Sequence, residues 1–252
     1  MKRISVFLCV TLMVLGSAAV ASAVSFTSAI ANPSFENPVL GAGLFTQSPT
    51  DPPRNFAGDD PLNSVPGWNV TSYYNWGTYA GVYNNSGGSD GYGGIAPDGK
   101  NIAYINLPAW DYVILSQWVN PVKITQGATY TLSVDVGARA NQNPDSAMWW
   151  LQLYALNPDG ITQTGVITQS FGNPSIDTFT TQSVSYLADS TYDGWTLGIA
   201  LVGWQNSSEK SYQINFDNAR LDVSPVPEPA TMFLLGSGLI GVAVFVRRKF
   251  KR

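Results

Sequence analysis

The chain has 252 residues, with 13 Lys and Arg against 17 Asp and Glu, no histidine and one cysteine. The lack of histidine excludes Ser-His-Asp and Cys-His nucleophile systems and any His-ligated zinc.

Lys2 and Arg3 precede the apolar run Val6 to Leu15, and Ala21-Ser22-Ala23 follows as a small-residue cleavage site. This order predicts a secretory signal peptide over residues 1–23, cut before Val24 and handled by the Sec machinery. Cys9 falls inside it, and Phe7-Leu8 before the cysteine does not suit lipidation. The exported body then has no disulfide, in a compartment that permits them. Setting aside Lys2, Arg3 and five basic residues at the far end leaves six basic residues in the body. Sixteen acidic residues oppose them once Glu228 is set aside, so the body stands near −10. Such an acidic surface without a basic cluster argues against nucleic-acid binding.

Residues 24–225 read as one β-sandwich. Residues 41–67, rich in Pro, Gly and Asp, read as a long loop. Trp68, Tyr73, Tyr74, Trp76, Tyr79, Tyr83 and Tyr92 then cluster among Asn, Ser and Gly. Flat rings with polar neighbours suit sugar rings, which offer apolar C–H faces and polar rims. The same rings could equally be core. Trp149, Trp150 and Tyr154 form a second group, of which at least one faces the core, because adjacent strand residues point to opposite sides.

Tyr130, Leu132, Val134 and Val136 alternate with Thr131, Ser133 and Asp135, a strand with one buried face. Leu151 with Leu153, and Trp195, Leu197, Ile199 and Leu201, repeat the pattern, and Val184 to Leu187 adds another segment. Turn signals such as Pro97-Asp98-Gly99 and Asn157-Pro158-Asp159-Gly160 separate them. In the last strand Ile214 and Phe216 set one inward register, and Ala219, Leu221 and Val223 the opposite one. The slip at Asp217-Asn218 fits a β-bulge that re-aims side chains, or a strand changing environment with Asp217 exposed.

The end of the chain is tripartite. Pro227-Glu228-Pro229 precedes an uncharged segment, 231–246, and the basic tail 247–252. About 20 apolar residues span a membrane comfortably, so this predicted transmembrane helix is short. The basic tail holds it with the body outside. Layout and motif are similar to the PEP-CTERM sorting signal of exported bacterial proteins. That resemblance implies recognition by the membrane protease-transpeptidase exosortase, export through the inner membrane, a single-pass stage before processing, and then the cell surface or extracellular matrix. A permanent anchor is the alternative, although an extended Pro-Glu-Pro stretch suits a protease cleft.

A second resemblance covers most of residues 30–223. Asn32-Pro33-Ser34-Phe35-Glu36, Val65-Pro66-Gly67-Trp68, Gly127-Ala128-Thr129-Tyr130 and Ile214-Asn215-Phe216-Asp217-Asn218 stand in the order seen in galactose-binding-like jelly rolls, including carbohydrate-binding modules. The resemblance implies that the first motif and last strand lie side by side around a structural Ca²⁺. Carried over by position, the ligands are Glu36 and Asp217, with Asn32 contributing through side chain or backbone. Calcium takes six to eight oxygens, and a body without Cys or His offers nothing to softer metals.

Three functions follow from these readings. The first is a non-catalytic module binding or organising polysaccharide, with Trp68, Tyr73, Tyr74, Trp76, Tyr79 and Tyr83 as ligand-binding residues. The second is a structural biofilm or matrix protein. The third is a glycan-active hydrolase using loop carboxylates such as Asp59, Asp60, Asp90, Asp98 or Asp111. Asp is common in loops for backbone reasons, which favours the non-enzymatic readings.

Overall fold

The computed structural model describes residues 23–46, 48–50, 65–72, 78–87, 95–107, 112–139, 147–161, 163–205, 212–224 and 246–247. Residues Val24–Val223 make up one compact unit. A second unit pairs Met1–Ala23 with Ser224–Arg252, and almost all of it lies outside the described residues. That includes Pro227, Glu228, Pro229 and segment 231–246, apart from Val246. No helix among the described residues is long and apolar enough to cross a membrane.

The described strands are β1 (Val24–Ser25), β2 (Ser48–Thr50), β3 (Asn69–Ser72), β4 (Thr78–Asn84), β5 (Asn101–Leu107) and β6 (Tyr112–Lys123). They continue with β7 (Thr129–Ala138), β8 (Ala147–Leu156), β9 (Gln163–Gly172), β10 (Phe179–Leu187), β11 (Thr196–Gln205) and β12 (Tyr212–Ser224). One sheet has the order β10-β7-β12-β5-β4-β2, with β1 also on β12, and the other runs β3-β6-β11-β8-β9. β12 is antiparallel to β1 and β5, β4 to β2 and β5, β7 to β10, β6 to β3 and β11, and β8 to β9 and β11. The result is the all-β sandwich read from the sequence, except that the expected loop over 41–67 contributes the short strand β2.

The core follows the period-2 pattern. Tyr130, Leu132, Val134 and Val136 of β7 meet Leu151, Leu153, Leu197, Ile199 and Leu201 in one buried cluster. Ile214, Phe216, Ala219 and Leu221 all join it, so both registers of β12 face inward. Asn218 makes the switch with φ +53, a left-handed conformation that Asn tolerates better than most residues. Asp217 beside it is fully buried, which rules out the exposed-Asp reading of the slip. The bulge turns the Asp217 carboxylate toward the 97–101 turn.

Candidate functional site

The first motif does lie beside the last strand. The Ala219 N–H donates to the Pro33 carbonyl at 2.9 Å. Phe35 is buried with φ +56, its ring 5.6 Å from that of Trp68. This strained turn aims Glu36 at the 97–101 turn, where Oε1 accepts the N–H groups of Lys100 and Asn101, each at 2.7 Å. The Asn101 carboxamide donates to the Phe35 and Pro38 carbonyls, both at 3.0 Å. From the other side, Asp217 Oδ2 accepts the Asp98 N–H at 2.8 Å and Oδ1 accepts the Asn218 N–H at 2.7 Å. Glu36 and Asp217 therefore grip one five-residue turn. Gly99 makes the approach possible, since with φ +77 a Cβ there would stand 2.4 Å from Glu36 Oε1.

Asn32 has a different task. Its carboxamide donates to the carbonyls of Asn37 at 2.7 Å and Pro66 at 3.0 Å, and its Oδ1 accepts the Asn37 N–H at 3.0 Å. Its own carbonyl accepts the Trp68 indole N–H at 3.3 Å. Its side chain thus closes the motif's turn, while Glu36 and Asp217 share the 97–101 turn.

Burial pushes the Asp217 carboxyl up to about 8, against the two N–H groups that favour its ionised form, and the nearby Asp98 and Asp135 charges add to the rise. Asp135 accepts from Thr181 Oγ1 and from Asn218 Nδ2, and Arg220 stands 3.4 Å from it. Among the described residues no three His, Cys, Asp or Glu side chains converge as a metal cluster. The donors that do meet at the turn, Glu36 and Asp217, are oxygens of the hard type calcium takes.

The rings expected to bind ligand are distributed differently. Trp68 is 1 % exposed and presents no face to solvent. Tyr83 is buried in a satellite cluster with Ala96, Ile102 and Tyr104. Both rings are buried, Tyr83 within β4 and Trp68 in the bend before β3, where it packs against Phe35. Tyr79 belongs to β4, and Tyr73, Tyr74, Trp76 and Tyr92 lie outside the described residues.

A ring-lined surface forms instead on the outer face of the five-stranded sheet. Central strand β11 offers small residues there. Gly198 pairs with Trp118 of β6 and Tyr154 of β8, Ala200 with Ser116 and Gln152, and Val202 with Ile114 and Trp150. The Trp118 and Tyr154 rings meet edge to face over Gly198, centroids 4.6 Å apart, and a Cβ on Gly198 would come within 2.5 Å of the Tyr154 ring. Tyr154 donates its hydroxyl to the Gln117 carbonyl at 3.2 Å, and burial pushes that hydroxyl's pKa up. At the other end Trp150 and Trp204 stand 5.9 Å apart, with Phe171 of β9 beside Trp150 and 59 % exposed. Between the two aromatic groups runs a polar row of Ser116, Gln152 and Gln169, the last two joined by a 3.1 Å hydrogen bond. Sequence reading singled out Trp150 and Tyr154 but missed Trp118, Trp204 and Phe171. They lie far apart along the chain, and only cross-strand register collects them.

The fold and its tail define a class, a jelly-roll β-sandwich followed by a PEP-CTERM protein-sorting motif, which matches residues 225–249. Within that class, the body belongs to the HpiC1-like family, whose model, described as HpiC1 cyclase, matches residues 27–222. The Stig cyclase Fisc from Fischerella sp. TAU, solved with (3Z)-3-(1-methyl-2-pyrrolidinylidene)-3H-indole, shares 24 % identity at a TM-score of 0.61. The match covers 82 % of this chain and 100 % of that one. A cyclase from Fischerella sp. TAU in complex with 4-(1H-indol-3-yl)butan-2-one shares 23 % identity at 0.60, over 81 % and 100 % of the two chains. Another Fischerella sp. TAU cyclase structure shares 25 % at 0.57, over 82 % and 100 %. No curated protein matches the chain.

Proposed function

We propose that this protein is an exported, exosortase-sorted module that binds polysaccharide at the cell surface or in the extracellular matrix, with the outer face of the five-stranded sheet as its platform. The observation that carries the reading is the arrangement of rings. Trp118 with Tyr154, and Trp150 with Trp204, bracket the polar row of Ser116, Gln152 and Gln169. An extended glycan presents the matching sequence of surfaces, with apolar sugar faces over the rings and hydroxyls over the amides. The sorting motif supports delivery to a place where polysaccharide is met.

A second reading is enzymatic, and the family match favours it. The same platform could take an indole-type ring compound, since an indole ring packs on Trp as readily as a sugar does. On this reading the body would catalyse cyclisation rather than hold a glycan. Affinity electrophoresis through the host's own exopolysaccharide separates the two. Retardation that is lost in Trp118→Ala and Trp150→Ala supports the glycan reading. No retardation, with tryptophan fluorescence quenched by 4-(1H-indol-3-yl)butan-2-one, sinks it in favour of the cyclase.

A structural Ca²⁺ at the 97–101 turn belongs to the same proposal. Glu36 and Asp217 would hold it with backbone carbonyls of the turn and of the first motif. The ion would supply positive charge to two carboxylates, one of them fully buried. Chelation is expected to lower the melting temperature and added calcium to restore it, and an unchanged melting curve excludes the ion.

A further inference from the structure

On the outer face of the five-stranded sheet, strand register lays one row of side chains straight across the strands. Asn69 of β3 stands beside Ser116 of β6, and Ser116 beside Ala200 of β11. Ala200 stands beside Gln152 of β8, and Gln152 beside Gln169 of β9. Val70 is buried in the core, so its neighbour Asn69 points outward with the rest of the row. Adjacent strands lie about 4.8 Å apart, so the row runs about 19 Å from one edge of the sheet to the other. β3 and β9 end the sheet, and among the described residues no strand lies beyond either. The row is therefore open at both ends of the sheet.

Rings stand on both sides of it. Two positions along the strands, about 7 Å away, come Trp118 and Tyr154 on one side and Trp150 and Phe171 on the other. Gly198, between Trp118 and Tyr154, and Ala200, in the middle of the row, keep the centre low. The result is a groove at right angles to the strands, with amides and hydroxyls on its floor and aromatic walls.

Charge sets the class of ligand. Across all five strands the only charged residue is Lys123, the last of β6, and its ammonium donates to Thr196 Oγ1 at 2.6 Å. The body around them stands near −10. An anionic chain would be repelled on approach, and its carboxylates would lose water on a floor that offers no cation. Asn, Gln and Ser side chains both donate and accept hydrogen bonds, as sugar hydroxyls do. We propose, resting on the polysaccharide reading of this face, that the groove takes an uncharged polysaccharide laid across the strands and held along the interior of the chain. A groove about 19 Å long accommodates several linked sugar units, and its open ends let the chain run on past both edges.

The host's own exopolysaccharide, separated on an anion exchanger into neutral and acidic fractions, supplies the probes. In affinity electrophoresis the neutral fraction should retard the exported protein and the acidic fraction should not. Asn69→Ala and Gln169→Ala, at opposite ends of the row, should each weaken retardation by the neutral fraction about threefold or more, at an unchanged melting temperature. Hexasaccharides cut from the neutral fraction should compete at least about tenfold better than disaccharides. Retardation by the acidic fraction as strong as by the neutral one overturns the uncharged ligand and leaves polysaccharide binding intact. Retardation that survives both end substitutions, or disaccharides that compete as well as hexasaccharides, overturns the groove across the strands. No retardation by either fraction overturns polysaccharide binding itself, and the groove with it.

Discussion

Two residues at the 97–101 turn show how far local chemistry is set by its neighbours. Burial pushes the Asp217 carboxyl up to about 8, from an ordinary value of 3.8. Between those values the folded state binds more protons than the unfolded one, so stability falls as pH rises. With chelator present, the melting temperature is expected to drop steadily from about pH 4 to pH 8, as followed by circular dichroism. A flat profile would mean that Asp217 is ionised in the fold. Gly99 is the complementary case, a position where any side chain meets both positive φ and the Glu36 carboxylate. Gly99→Ala is expected to cost about 1–3 kcal/mol in urea unfolding, because the turn held by Glu36 and Asp217 must open.

At the scale of the strand, β11 does two jobs with opposite faces. Leu197, Ile199 and Leu201 face the core, while Gly198, Ala200 and Val202 form the floor beneath the outer rings. Small residues there let the Trp118 and Tyr154 rings lie across the strand. Gly198→Val should displace both rings and cost about 1–3 kcal/mol by overpacking. It should also abolish retardation by exopolysaccharide if the platform is the ligand site. On the core side, Phe216→Ala empties a fully buried position in the last strand and should cost about 3–5 kcal/mol, read from the shift in urea midpoint.

The whole molecule is an acidic sandwich without cysteine in its body, followed by a PEP-CTERM sorting motif. Its stability rests on a main core with a small satellite cluster and on the polar ties between first motif, turn and last strand. The uncharged segment 231–246 is short for a span, which suits a transient stage better than a lasting anchor. Intact mass of the exported protein from its own host should therefore lack the basic tail. Full retention of residues 247–252 would instead mark the segment as a permanent anchor.

Much of this was legible in the chain because it depends on local order. Period-2 alternation placed the inward faces of β7, β8 and β11, and its one-residue slip marked the bulge at Asp217-Asn218. The sorting tail is linear by nature and needs no fold to be read. The candidate site was only partly legible. Glu36 and Asp217 were named from motif order, but the Pro97-Asp98-Gly99 turn that joins them read only as a turn. Trp68 and Tyr83 read as ligand rings, yet both are buried. A ring's chemistry is the same whether it packs inward or stacks on a ligand, so residue type could not separate the two. By itself the sequence determined the strand pattern, the charge, the absence of cysteine and histidine from the body, and the address. Tertiary structure alone decided which rings share a face and which carboxylates share a turn, because strand register brings together residues that lie far apart along the chain.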